Sequence, residues 1–300
     1  MADLLPPLTT EQADKKVDNS KLTCPVGYDE VNREAFKTLN PGYFSGFYLN
    51  YCPSLYEDKF FIGSTIVPGA YSGLGAYYFN TRLTLIGRVT TDGTLTTKVK
   101  AAITDKWIVK AQTALIDESR LFDTLVSFEY MALNYKAQFL LGSKGLTAAT
   151  YIQRVSPCLS LGGELFWASV PQKSGIGYVA RYETDKMVAS AQVISSGNVF
   201  MSYVQKISKK VSLASDFVYN CFSRDVKASV GCDCDISRFW SRVQGKIDSN
   251  GVAYASLEKQ LKMGLACVLS ASLDHKNKDY RLGLGLAYGS PPLSSDDLRR

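Results

Sequence analysis

From residue 43 to residue 288 the chain alternates apolar and polar residues in runs of about ten, separated by turn chemistry. Alternation at period two places successive side chains on opposite faces of a strand, so the pattern commits this stretch to β-structure. Residues 83–91 end at Asp92-Gly93, a two-residue hairpin signal. Residues 95–103 end at Thr104-Asp105-Lys106, and 107–115 end before Asp117-Glu118-Ser119. Residues 176–182 break at Glu183-Thr184-Asp185-Lys186, and 243–247 at Asp248-Ser249-Asn250-Gly251. Marking every such run gives about nineteen strands, with no second domain and no linker.

The faces are clean. Lys98 and Lys100 share one side of their run, while Val99, Ala101 and Ile103 share the other. Phe128 and Tyr130 oppose Ser127 and Glu129; Tyr135, Ala137 and Phe139 oppose Asn134, Lys136 and Gln138. Val243, Gly245 and Ile247 oppose Arg242, Gln244 and Lys246. A soluble sandwich would alternate in the same way, because its apolar faces meet in a core, so periodicity leaves both architectures open. Run length favours a barrel. Membrane-crossing strands need about 9–11 residues, whereas ordinary strands average about 5–6. Glycines inside the runs (Gly163, Gly177, Gly231, Gly283, Gly285) suit the bending of a closing sheet. Trp107, Phe166, Trp167, Tyr178, Tyr182, Trp240 and Tyr288 are placed to form aromatic girdles at the two membrane surfaces.

Outside this region the pattern changes. Residues 1–27 are polar and proline-punctuated and read as a flexible tail. Residues 28–40 carry Val31, Ala35 and Leu39 at helical spacing, with Asp29, Glu30 and Glu34 toward the start, and Asn40-Pro41-Gly42 stops the helix. This single amphipathic helix precedes a barrel domain spanning residues 43–289, and residues 290–300 form a polar tail. No apolar run approaches the roughly 18 residues of a membrane helix, and residues 1–8 lack the basic start and apolar stretch of a secretory signal. Seven cysteines, an odd number, fit free thiols in a reducing compartment.

Enzyme chemistry finds little support. The one histidine, His275, sits in the solvated turn Asp274-His-Lys-Asn-Lys-Asp279. Cys232-x-Cys234 has no second pair to complete a tetrahedral metal site. Gly73-x-Gly75, Gly175-x-Gly177 and Gly283-x-Gly285 lack the third glycine and following helix of a nucleotide fingerprint. A formal charge of +6, spread along the chain, is not a nucleic-acid footprint. The reading is therefore of a non-enzyme without metal or cofactor.

Several segments together resemble the channel-forming subunits, plant type, of the translocase of the outer mitochondrial membrane, within the mitochondrial porin superfamily. They are Gly87-Arg-Val-Thr-Thr-Asp-Gly93, Leu161-Gly-Gly-Glu-Leu-Phe-Trp167, Lys173-Ser-Gly-Ile-Gly-Tyr178 and Arg181-Tyr-Glu-Thr-Asp-Lys-Met-Val-Ala-Ser190. Tyr203-Val-Gln-Lys-Ile-Ser208, Lys246-Ile-Asp-Ser-Asn-Gly-Val-Ala253 and the opening Met1-Ala-Asp-Leu-Leu-Pro-Pro-Leu8 continue the likeness. The resemblance implies a membrane-spanning β-barrel of nineteen strands with the short helix inside or at the mouth of the pore. It also implies residence in the mitochondrial outer membrane and passive conduction of unfolded precursor proteins. Receptor subunits and small single-helix subunits would be the partners within an oligomeric complex. Arg281, Gly283, Leu286 and Tyr288 look like the sorting signal of mitochondrial barrels: polar, any, Gly, any, any, hydrophobic, any, hydrophobic. Two departures stand out. Residues 43–79 are shorter than the family pattern, with Pro53 interrupting a strand, and residues 290–300 extend beyond the usual end.

If the polar face lines a lumen, parity places Glu129, Glu164, Glu183 and Asp216 inside, as candidates to hold basic precursor segments. The same parity places Lys98, Lys100, Lys110, Lys136, Arg181, Lys227, Arg242 and Lys246 inside. More bases than acids sits awkwardly with cationic cargo. It favours one rival, a metabolite- or anion-conducting mitochondrial porin; the other rival is a soluble all-β enzyme or lipid carrier.

Overall fold

The computed structural model describes residues 22–56, 59–68, 72–116, 121–169, 172–236, 239–261 and 264–289. The opening octet, most of the N-terminal tail and the tail 290–300 lie outside the described residues. From Phe60–Ile66 to Asp279–Tyr288, every strand pairs antiparallel with its neighbours in sequence. The ring shuts where Gly46–Tyr51 lies antiparallel to Phe60–Ile66 and parallel to the last strand, Gly46 opposite Gly283 and Tyr51 opposite Tyr288. The short strand Ser54–Tyr56 also pairs with Phe60–Ile66, so Pro53 splits one stave in two without opening the ring. Counting those two pieces as one gives nineteen staves among the described residues. An odd number in a meander forces the first and last strands to run the same way, which explains the one parallel seam.

Closure is what a bilayer demands. Hydrocarbon offers no hydrogen bonds, so each strand's backbone must be satisfied by a neighbour and no edge can remain. Strands such as Leu121–Met131, Lys173–Glu183 and Asn198–Ser208 have 11 residues. At about 3.3 Å per residue and a tilt near 45° they span about 25 Å, the height of an outer-membrane apolar band.

The two faces follow the alternation in the sequence. Outward go Leu165, Tyr178, Val193, Met201, Val230, Ile247 and Leu282, all exposed on the isolated chain. An aromatic ladder of Trp107, Tyr130, Tyr135 and Tyr151, with ring centroids 5.0–6.0 Å apart, marks one rim. Three expected girdle residues are placed differently. Phe166 points inward because its neighbour Trp167 points outward; Tyr178 sits in the middle of its strand; and Trp240 occupies a turn.

The N-terminal segment lies inside. The expected single helix resolves into a 3-10 turn, Tyr28–Glu30, and an α-helix, Arg33–Leu39. They separate at Asn32, whose side chain accepts hydrogen bonds from the wall residues Ser190 and Ser202 instead of capping the helix. So short a helix has little stability alone and depends on what it packs against. Tyr28 and Val31 pack on Ile152 and Val179, and Ala35 and Leu39 on Val188, Val204 and Ala214. Those wall residues are apolar at inward positions, and they mark the ledge on which the helix rests. Residues 22–27 run from this ledge to one rim, where Thr23 accepts a hydrogen bond from Arg154 and Cys24 meets the Tyr135 carbonyl. Gly289 ends the last strand on the same rim, beside Gly264.

The two faces should differ in their tolerance of charge. Met201→Lys, on the outward face, is expected to cost about 2–4 kcal/mol in denaturant titrations of vesicle-inserted protein. Gln138→Lys, inward beside Glu129, should cost under about 0.5 kcal/mol. Equal losses would contradict the assignment of faces.

Candidate functional site in the lumen

Following the register around the ring, Glu129, Glu164, Glu183 and Asp216 all occupy the face that carries the helix. Lys98, Lys100, Lys110, Lys136, Arg181, Lys227, Arg242 and Lys246 share it. The acids are not equivalent. Glu129, 1% exposed, is held between Lys110 and Lys136, the latter at 3.2 Å. It offers no surface to a passing chain. Glu183 lies 3.2 Å from Arg181 and 3.6 Å from Arg154 and keeps part of its surface in the lumen. Asp216 accepts a hydrogen bond from Ser229.

Arg181 is the main anchor of the N-terminal segment. It is almost fully buried, and its guanidinium donates to both Glu34 oxygens at 2.8 Å, to Glu183 at 3.3 Å and to the Val31 carbonyl. A bidentate charged pair of this kind fixes orientation as well as energy. Burial alone would raise the Glu34 carboxyl, but the hydrogen bonds and charge of Arg181 override it and hold Glu34 below the usual carboxylate range. Tyr28 supplies a second anchor. Its hydroxyl fills the space a Gly177 side chain would need, accepts from Gln192 at 2.9 Å and bonds to Glu164. Burial first, then the Glu164 charge, push its phenol up to about 12, against the lowering effect of Gln192. Toward the far end, Thr38 bonds Ser212 at 3.2 Å and Gln244 donates to the Lys37 carbonyl at 3.1 Å.

Around the rest of the lumen the charges sort by wall. Strands Leu83–Thr90 and Leu95–Ala102 present Arg88, Lys98 and Lys100 inward with no acidic residue on the same face. Lys100 lies opposite Lys110. From Val226–Ile236 to Asp279–Tyr288 the inward acids are Asp233, Asp235, Asp248, Glu258, Asp274 and Asp279. They outnumber Lys227, Arg242, Lys246 and Arg281 on the same wall. Arg242 is bidentate to Asp233 at 2.6 and 3.0 Å, with Asp235 and Glu258 directly opposite it on the adjoining strands. Lys246 pairs with Asp248 at 3.0 Å. Between the two walls, Cys52, Phe61 and Tyr77 form a buried apolar cluster on the inner face.

The parity reading overlooked this acidic wall, although its signal was available. Cys232 and Cys234 face outward as part of the apolar side of their strand, which leaves Asp233 and Asp235 inward. In the last strand, whose residues resemble a sorting signal, Arg281 faces inward, 2.7 Å from Asp279, and Gly283 shares its face. Leu286 and Tyr288 face outward.

Residues 24–283 match the family model described as eukaryotic porin. The chain is 46% identical to "Probable mitochondrial import receptor subunit TOM40-2" of Arabidopsis thaliana, over 95% of this chain and 99% of that protein. It is 25% identical to "Mitochondrial import receptor subunit TOM40 homolog" of Xenopus tropicalis, over 94% and 89% respectively. The Homo sapiens protein of the same description is 26% identical, over 84% and 72%.

The depressed Glu34 carboxyl gives the helix a pH dependence with a definite sign. A group held below its unfolded value contributes fully above the ordinary carboxylate range, and the contribution is lost as pH falls through the depressed folded value. A spin label on Phe36→Cys, at an exposed helix position, should therefore stay immobile at neutral and mildly acidic pH and loosen only under strong acid. With Glu34→Gln the label should be loose already at pH 7. An immobile label in that variant would show that Arg181 does not hold the helix.

Proposed function

The chain belongs to the eukaryotic porin family and, within it, to the mitochondrial import receptor subunits TOM40, and from that premise we infer that it is a protein-conducting channel of the mitochondrial outer membrane. Unfolded precursors pass through the lumen described above. The observation that carries this reading beyond membership is the acidic wall from Val226–Ile236 to Asp279–Tyr288, set apart from the basic one by the staves of Gly46–Tyr51, Phe60–Ile66 and Gly73–Phe79. Mitochondrial targeting segments are basic and amphipathic. A row of partly solvated acids attracts them at about 0–1 kcal/mol per pair, strong enough in series to guide and weak enough to release.

The cargo-facing acids are Asp216, Glu183 and Glu164, continued by Asp235 and Glu258. Glu129 serves the wall. Leu125, Leu140, Phe166, Phe200 and Val218, inward between the helix and the rim away from Gly289, offer contact to the apolar side of an amphipathic cargo. Conduction through this lumen is passive, and other components set its direction. Receptor subunits and small single-helix subunits dock on the outer wall in an oligomeric complex.

A second reading has its own observation. Arg88, Lys98 and Lys100 make a path suited to anionic metabolites along the basic wall.

Single-channel recording with a basic targeting peptide separates the two. The peptide should block the wild-type channel at micromolar concentration. Asp216→Lys with Glu258→Lys should weaken that block about ten-fold and shift selectivity toward anions, each lost pair contributing on the order of 0.5–1 kcal/mol. Glu129→Gln should leave the block unchanged while lowering stability, because it strands two lysines. Block unaffected by the double reversal, with anion preference in the wild type, would favour the metabolite path.

A further inference from the structure

The loose sorting pattern needs glycine at position 283 and accepts any residue at 285 and 287, yet this strand presents Gly283, Gly285 and Ala287 along its inward face. The structure shows what the small face receives. Tyr48, from the first strand, lies over Gly285: a Cβ there would collide with the tyrosine ring, 2.6 Å from Cζ and 2.8 Å from Cδ1. Phe44 lies over Gly283, where a Cβ would collide with its carbonyl oxygen and stand 2.7 Å from ring atom Cε2. That carbonyl accepts a hydrogen bond from Ser270 at 2.6 Å, and the Phe44 and Tyr48 rings meet edge to face at 4.5 Å. On the outer side of the same junction, Tyr51 stacks on Tyr288 at 5.4 Å.

We propose that Gly285 and Tyr48 form the latch that closes the barrel, separate from the residues that mark this strand for sorting. The seam needs such a device. Among the described residues it is the one parallel junction, slightly weaker per residue than its antiparallel neighbours, and it joins residues more than two hundred apart in sequence. A ring seated in a glycine notch adds aromatic burial and fixes register, since a slip of one residue would put Tyr48 against the outward-pointing neighbour Leu284 or Leu286. Gly283 serves both ends, as a sorting position and as the seat of Phe44. Gly285 serves closure alone. The latch holds whatever the pore conducts, so its test is independent of the transport reading.

The full-length chain is synthesised and imported into isolated mitochondria, with two readouts. Resistance to alkaline carbonate reports arrival in the membrane. A bifunctional thiol reagent bridging Phe47→Cys and Leu284→Cys, opposite each other across the seam and outside the sorting positions, reports closure when both cysteines are required. Gly285→Val should keep carbonate resistance within about two-fold of the parent while lowering the seam product about five-fold or more, the scale of overpacking a filled site. Adding Tyr48→Ala to Gly285→Val should recover at least half of the product. Gly87→Val, at an outward glycine with open space around it, should change neither readout. A parental yield of seam product in Gly285→Val would overturn the latch, as would failure of Tyr48→Ala to restore it.

Discussion

The structure depends on the backbone hydrogen bonds between Gly46–Tyr51 and Asp279–Tyr288. Every other junction joins strands that are neighbours in sequence and can form as a hairpin does, locally and early. This one joins the two ends of the sheet, and without it two rows of unpaired amides would face lipid. Once it forms, the face pattern of all the strands acquires meaning. The inside becomes a wet passage with its own electrostatics, and the outside becomes a uniform apolar band.

The N-terminal segment then fills part of that passage by a mixture of forces. Val31, Ala35 and Leu39 settle on inward apolar wall residues, while Arg181, Asn32, Tyr28 and Thr38 supply directional bonds. The polar set determines where the helix sits, because hydrophobic contact alone is non-directional. Several wall acids and bases are consumed in doing this. Charge inside a pore is therefore divided between residues that build the wall and residues that face what passes, and sequence parity does not separate the two.

How much was legible follows from that distinction. The alternation of Lys98, Val99, Lys100 and Ala101 determines which side of a strand meets water, so faces and strand number could be read directly. Position along a strand is weaker information: Phe166 and Trp167 are adjacent aromatics, and only strict alternation shows that one of them must turn inward. The glycines within strands invited an explanation by bending. In the folded chain Gly177 makes room for Tyr28, Gly231 for Leu39, and Gly283 and Gly285 for Phe44 and Tyr48. Contacts between residues so distant in sequence leave no local trace. The pairing of Glu129 with two lysines is hidden for the same reason, since it arises from three strands meeting at one height.

The separation of charge between the two walls has a consequence for anything threaded through. Opposite signs on separate sectors of a conduit create a field with a component across it, which exerts torque on an asymmetric helix without pushing it along the axis. A traveller with cations on one flank would be turned until that flank meets the carboxylates, and would then advance in a fixed rotational setting, like a keyed shaft in a slotted sleeve. Strand-to-strand arrangement would thus set the orientation of the cargo, and leave its motion along the pore to whatever waits at the exit.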